Sequence, residues 1–193
     1  YPGANRRMTP ELIDRELEKY SCGDWLLIQN ETNCLEYIIR AANKKGMKIA
    51  FNPSPMDETV STLPLELVDL FLVNEIEGAA VTGKEITEEI TAEFEKLFPN
   101  AAVILTLGKK GSIFKSEKDM LFQPSYCGTV KDTTGAGDTY TGFFIANYIK
   151  GVSPQECMRI AAMASTVQIS RDGAAIAIPT KQEVLNALKN HCR

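Results

Sequence analysis

Asp132-Thr133-Thr134-Gly135-Ala136-Gly137-Asp138-Thr139 joins small residues and two carboxylates in a spacing that suits phosphate chemistry. Apolar periodicity resumes just after it, at Tyr140, Phe143 and Phe144, so Gly135-Ala136-Gly137 opens a helix. The first N–H groups of a helix have no internal acceptor and lie at the positive end of its dipole. Flanked by small side chains, they make an anion hole suited to a transferring phosphoryl group. Asp138 lies in that first turn, where negative charge is favoured. An ionised carboxylate beside a phosphoryl site can accept the proton of an attacking hydroxyl. Phosphoryl transfer needs little beyond positioning, charge neutralisation and such a base. Taken alone, Gly-Ala-Gly-Asp also reads as a tight turn with a helix-terminus acid. The stretch is not a Walker A loop, and no GxGxxG is complete.

The elements that must position this turn alternate along the chain. The run Trp25 to Gln29 predicts a buried strand. A helix follows from Thr32 to Lys45, with apolar spacing at Leu35, Ile38, Ile39 and Ala42 and a stop at Gly46. Met47 to Phe51 predicts a second strand, ended by Asn52-Pro53-Ser54-Pro55. Leu70 to Val73 predicts a third, followed by helices from Glu75 to Thr82 and from Glu88 to Phe98. Ala102 to Leu107 predicts a fourth strand, and Ser112 to Lys115 with Met120 to Phe122 a hairpin. Helices then run from Gly135 to Gly151, from a capping box at Ser153-Pro154-Gln155-Glu156, and from a second box at Thr180 to Glu183.

Strands alternating with helices imply βαβ units, a mostly parallel sheet and a three-layer α/β/α sandwich. Ligands of such sheets bind beyond the carboxyl ends of the strands. Those ends deliver Asn30-Glu31, Asn52, Asn74 with Glu77, and Thr106 with Gly108. Polar residues at every strand end suggest one active-site rim, although loops are polar for other reasons too.

Composition narrows the class. The chain has 193 residues, 21 basic against 25 acidic, and a net charge of -4 with no basic block. Neither nucleic acid nor a membrane surface is an expected partner. Five scattered cysteines (Cys22, Cys34, Cys127, Cys157 and Cys192) form no CxxC pair, which points to a reducing cytoplasm rather than a disulfide framework or zinc site. The single histidine, His191, reads as a solvated residue near the terminus, so His-dependent hydrolysis is poorly supported. No run approaches the roughly 18 apolar residues of a membrane span.

The stretch Asp132 to Phe144 resembles the C-terminal motif of the ribokinase family, the phosphofructokinase-B carbohydrate kinases. Asn74-Glu75-Ile76-Glu77 resembles the family's NxxE motif, and Thr106-Leu107-Gly108-Lys109-Lys110-Gly111 its TLGxxG turn. Gln29-Asn30-Glu31 and Asn52-Pro53-Ser54-Pro55 are similar to the ribokinase branch, and Pro2-Gly3-Ala4-Asn5 to the segment after the family's lid. The likeness implies that Asp138 is the catalytic base, which also touches the substrate, and that Gly135, Ala136 and Gly137 form the anion hole. It implies that Asn74 and Glu77 organise a Mg2+–phosphate shell through water. Thr106, Gly108 and Gly111 would contact ATP, and Glu31 a sugar hydroxyl. A monovalent-cation site, K+ in the family, would use Asp132, Thr134, Ser170 and Gly173. One departure weakens it: Ala177 stands where ribokinases often have a serine ligand.

The expected function is ATP-dependent phosphorylation of a sugar primary hydroxyl, ribose to ribose 5-phosphate. The alternatives are a fructokinase- or adenosine kinase-like activity, or a non-catalytic nucleotide-binding fragment. The family's first strand, glycine-pair sugar motif and most of its lid are not found among these residues. The expectation is therefore one ribokinase-like domain over residues 1–193, incomplete at the N-terminus, with N-terminal strands and lid absent. Such a chain alone is expected to be weakly stable, self-associated or inactive. A family-type homodimer stays open, since the lid often supplies its contact.

Overall fold

The computed structural model describes residues 3–191. Pro2 of the Pro2-Gly3-Ala4-Asn5 stretch and Cys192 lie outside the described residues. The described chain has six strands, the first four of which alternate with α-helices. They are β1 (Trp25–Gln29), β2 (Lys48–Asn52), β3 (Leu70–Asn74), β4 (Ala102–Thr106), β5 (Ser112–Lys115) and β6 (Met120–Gln123). The helices are α1 (Pro10–Leu17), α2 (Leu35–Lys44), α3 (Glu75–Thr82), α4 (Thr87–Leu97), α5 (Ala136–Tyr148), α6 (Pro154–Ile169) and α7 (Lys181–His191). The strands hydrogen-bond in chain order from β1 to β6, and β1–β2 and β2–β3 are parallel. The α/β class read from the alternation is the class the chain adopts.

The chain divides into two compact units, Tyr1–Leu105 with Lys115–Asp119, and Thr106–Phe114 with Met120–Arg193. In the first, β2 and β3 form the apolar centre: Ile49, Ala50, Phe51, Leu70 and Phe71 are fully buried. Each of these side chains except that of Ala50 contributes roughly 1.5–3 kcal/mol by leaving water. Gly78 of α3 lets that helix approach closely. A Cβ there would lie 3.0 Å from Ile90 and 3.2 Å from Leu105. Phe71, Phe94 and Phe98 cluster with ring centroids 4.8 to 5.9 Å apart.

Parallel pairing aligns the carboxyl ends of these strands. Gln29 of β1 stands beside Asn52 of β2. β1 is less buried than its composition suggests, however. Ile28 is buried but Leu27 is 42% exposed. The expectation of a buried strand is corrected because β1 lies at the sheet edge among the described strands, where one flank has no neighbour.

Helix ends follow local chemistry closely. Gly46, with φ 73°, stops α2, and Gly83, with φ 69°, stops α3. Helix α2 starts at Leu35 rather than Thr32. Cys34 takes a left-handed conformation (φ 61°) just before it, and the Thr32 hydroxyl turns to donate to Asn5 O at 2.9 Å. Helix α1 was not anticipated. Its N-cap Thr9 accepts from Leu12 N–H at 3.3 Å, Pro10 opens it, and Ile13 and Leu17 bury its inner face.

The second unit is organised by helices α5, α6 and α7. Phe144 of α5 and Cys157, Met158, Ala161 and Ala164 of α6 are fully buried. Met163 and Ala164 of α6 pack with Val184 and Leu188 of α7. Ser112 and Tyr140 share a buried hydrogen bond of 2.7 Å, and burial pushes the Tyr140 phenol well above its ordinary range. Thr180 and Glu183 make the full capping box expected of them. The Ser153 box is corrected: Ser153 Oγ accepts from Glu156 N–H at 3.4 Å, but the Glu156 carboxylate is drawn to Arg159 in two contacts of 2.7 Å. His191 is exposed as expected, yet its ring meets Tyr126 edge-on at 4.9 Å.

Candidate active site

The glycine turn in the second unit has the local geometry of an anion-binding helix start. Gly135 caps α5 in a left-handed conformation (φ 77°) and offers no side chain to the first amides. Ala136 N–H donates to Thr133 O at 3.1 Å, and Thr139 N–H to Gly135 O at 2.9 Å. Between them, Gly137 N–H has no acceptor among the described residues. A Cβ on Gly137 would meet nothing within 4 Å. Nothing in the surrounding protein therefore demands glycine there, and the space beside the amide is open to a ligand. Asp138, third residue of α5, is exposed at the same end. A helix start with a bare amide and an adjacent carboxylate can bind an oxyanion and receive a proton.

Asp132 braces this turn. Its Oδ1 accepts Thr134 N–H at 2.9 Å and its Oδ2 accepts Gly173 N–H at 3.3 Å. The bonds from Thr134, then that from Gly173, hold its carboxyl below the usual carboxylate range. Three of the four residues expected at a cation site, Asp132, Thr134 and Gly173, are thus brought together. Ser170 ends α6, and its hydroxyl turns back to donate to Val167 O at 2.7 Å. Ala177 is buried and adds no oxygen from its side chain. The Asp132 carboxyl, held below its usual range, supplies a negative charge that suits a hard monovalent cation, with fewer side-chain ligands than a serine at residue 177 would allow.

The other expected residues of this unit are more dispersed in role. Thr106 is half-buried, and Gly108 is exposed with φ 54° and open space around it. Gly111 has an internal reason to be glycine, since its φ is 124° and a Cβ on it would collide with the backbone of Gln123 and Pro124.

In the first unit, Glu31 is exposed on the loop after β1. That loop is tied down on both sides. Asn30 N–H donates to Ser54 O at 2.9 Å and Asn30 Nδ2 to Pro55 O at 2.8 Å. Asn33 Oδ1 accepts from Met8 N–H at 3.1 Å, while its Nδ2 donates to Met8 O at 2.8 Å. The two loops resembling the ribokinase branch therefore form one braced edge.

Asn74 and Glu77 also meet, in a capping box. Asn74 Oδ1 accepts Glu77 N–H at 2.9 Å, and Glu77 Oε2 accepts Asn74 N–H at 3.0 Å. Glu77 is buried and Asn74 exposed. No group of three or more His, Cys, Asp or Glu residues that could hold a metal occurs among the described residues. That donor set fits Mg2+ held mainly by phosphate and water, with one carboxylate nearby, rather than a protein cage.

Sequence reasoning missed Ser165 and Gln168 of α6. Ser165 Oγ donates to Ala136 O at 2.9 Å, and Gln168 Nε2 to Thr134 O at 2.6 Å. Their signal was available: a serine and a glutamine three apart in the otherwise small, apolar run Ala161-Ala162-Met163-Ala164-Ser165-Thr166-Val167-Gln168.

An α/β fold whose glycine-lined helix start carries an aspartate defines a phosphate-handling class of protein. The chain belongs to the pfkB family of carbohydrate kinases, whose model matches residues 1–181. It is 30% identical to a ribokinase of Haemophilus influenzae over 97% of this chain, and 31% identical to a ribokinase of Arabidopsis thaliana over the same share. It spans 63% of the length of the first relative and 52% of the second. Its fold matches the crystal structure of ribokinase from Thermotoga maritima with a TM-score of 0.84 at 30% identity, covering 98% of this chain and 64% of that one. Arabidopsis ribokinase complexed with ribose and ATP matches with a TM-score of 0.82 at 28% identity and the same coverages. The fold is thus ribokinase-like, as the motifs imply. No helix among the described residues is long and apolar enough to cross a membrane.

Proposed function

We propose that the protein is an ATP-dependent sugar kinase that phosphorylates a primary hydroxyl, with ribose as acceptor. The observation that carries this reading is the start of α5, where an uncapped glycine turn leaves the Gly137 amide bare and sets Asp138 beside it. The family membership and the ribokinases among the relatives favour sugar phosphorylation. The ribose and ATP bound by the Arabidopsis neighbour favour those two substrates.

In this reading Asp138 accepts the proton of the sugar hydroxyl as that oxygen attacks the γ-phosphorus of ATP, whose bond to the bridging β-phosphate oxygen breaks so that ADP leaves. The amides from Gly135 to Gly137 bind the phosphoryl oxygens as negative charge spreads over them. Glu31 orients the sugar by accepting from one of its hydroxyls. Thr106 and Gly108 contact the nucleotide, and Gly111 shapes their turn. Mg2+ neutralises the phosphates when bound, with Asn74 and Glu77 reaching it through water. Asp132 and Thr134, with Ser170 and Gly173, hold a monovalent cation whose charge stabilises the turn. The setting is the cytoplasm.

The test is Asp138→Asn in the complete protein. The variant is expected to bind ATP normally and to lose about 10²- to 10⁴-fold in kcat. Unchanged turnover removes the base assignment, and a parent protein that neither binds ATP nor transfers its phosphoryl group removes the kinase reading. Ribose ranking well below fructose or adenosine in a substrate profile replaces the acceptor while leaving the chemistry in place.

A further inference from the structure

The structure assigns Ser165 and Gln168 of α6 as positioning residues that aim the amides of the phosphate-binding turn, an assignment that rests on reading that turn as an anion hole. The two side chains are three residues apart on one helix and so share a face. Gln168 Nε2 holds the Thr134 carbonyl at 2.6 Å, and Ser165 Oγ holds the Ala136 carbonyl at 2.9 Å. These two carbonyls flank Gly135, the one left-handed residue of the turn.

A trans peptide unit is planar, and its C=O and N–H point in opposite directions. The Thr134 carbonyl belongs to the same peptide as Gly135 N–H, and the Ala136 carbonyl to the same peptide as Gly137 N–H. Holding the carbonyls toward α6 therefore turns both N–H groups away from it. Neither N–H has an acceptor among the described residues. Asp132 fixes the neighbouring peptide from another side by accepting Thr134 N–H at 2.9 Å. Glycine at 135 lets the Thr134–Gly135 peptide rotate readily, so without the Gln168 contact the orientation of that peptide is only weakly set.

Gln168 carries a second sign of purpose. Its side chain is fully buried, and its Oε1 has no hydrogen-bond partner. A buried acceptor left unsatisfied opposes folding, and an apolar side chain of similar length avoids that penalty. Packing alone therefore favours methionine over glutamine at this position. What glutamine supplies and methionine cannot is the donor to Thr134 O.

The experiment uses the complete protein with Gln168→Met, Ser165→Ala and Ser165→Thr, reading thermal melting, 15N relaxation of the backbone amides and steady-state kinetics. Gln168→Met is expected to melt at or above the temperature of the parent. The order parameters of the Gly135 and Gly137 amides are expected to fall while those of α7 are unchanged, and kcat to fall about 10-fold with the KM for sugar unaltered. Ser165→Ala is expected to act in the same direction more weakly, and Ser165→Thr, which keeps the hydroxyl, to restore both amide order and kcat. A lower melting temperature for Gln168→Met with looser amides throughout α5 and α6 makes Gln168 a packing residue and overturns the assignment. So do unaltered order parameters at Gly135 and Gly137. Should the parent protein transfer no phosphoryl group, the kinase reading fails separately, and the relaxation data alone decide whether α6 aims the amides.

Discussion

Gly111 stands so close to Gln123 that a Cβ built on it would lie 2.1 Å from the Gln123 carbonyl oxygen. The next atoms are also main chain, with Pro124 Cα at 2.8 Å, so no side chain can swing aside. The φ of 124° adds backbone strain for any L-residue. Gly111→Ala is expected to cost about 3 kcal/mol or more, in the range reserved for forced backbone shifts. Chemical denaturation of the variant beside the parent measures it. A loss below about 1 kcal/mol would show that the turn after β4 relaxes freely.

Gly137 makes the opposite case. A Cβ there meets open space, and the residue lies inside α5, where alanine is favoured over glycine by up to about 1 kcal/mol. Gly137→Ala is expected to leave stability unchanged or raise it, while the KM for ATP rises and kcat falls, because the new methyl occupies the space of the phosphate. Denaturation and kinetics on one preparation separate the two effects. Full activity in that variant would mean that phosphate does not approach the Gly137 amide.

These two glycines show how far the sequence could be read. Both were singled out by motif, yet only coordinates separate a glycine kept for its neighbours from one kept for a ligand. Strands and helices were legible because their apolar periods and stop glycines are local features. Helix α3 runs from Glu75 to Thr82, the span its sequence implies. Helix α1 was overlooked although Thr9 and Pro10 mark its start, since its apolar stripe is only Ile13 and Leu17 wide. The exposure of Leu27 was hidden because strand burial depends on neighbours that lie elsewhere in the chain. The helix start after Gly135 was legible, whereas its α6 support was not. Contacts from Ser165 and Gln168 span 29 and 34 residues and leave no periodic trace.

The capping box at α3 couples stability to the proposed phosphate shell. Asn74→Ala removes the acceptor for Glu77 N–H and is expected to cost about 1 kcal/mol. Asn74→Asp keeps an N-cap acceptor and restores that stability. It also adds a negative charge where phosphate and Mg2+ would lie, so activity is expected to stay low. Denaturation midpoints compared with kcat/KM for ATP check the split. If activity recovers together with stability in Asn74→Asp, the residue serves the helix alone.

Glu183 provides the clearest pH dependence. Its Oε2 accepts from Thr180 N–H at 2.7 Å and Thr180 Oγ at 2.8 Å, and Arg171 pairs with Oε1 at 2.5 Å. The Thr180 amide first, then the Arg171 guanidinium and the Thr180 hydroxyl, pull its carboxyl down to about 2. The ordinary value is roughly 4.3, so the folded state binds this proton less readily than the unfolded chain. Stability from the ionised group is therefore fully present above roughly pH 4.3 and is lost as pH falls toward about 2. The stability difference between the parent and Glu183→Gln is expected to be flat above that window and to shrink within it, because glutamine does not titrate. Carboxyl-detected NMR titration of Glu183, with acid denaturation of both proteins, measures the effect. A Glu183 carboxyl that titrates at its ordinary value would show that its bonds to Thr180 and Arg171 do not persist in solution.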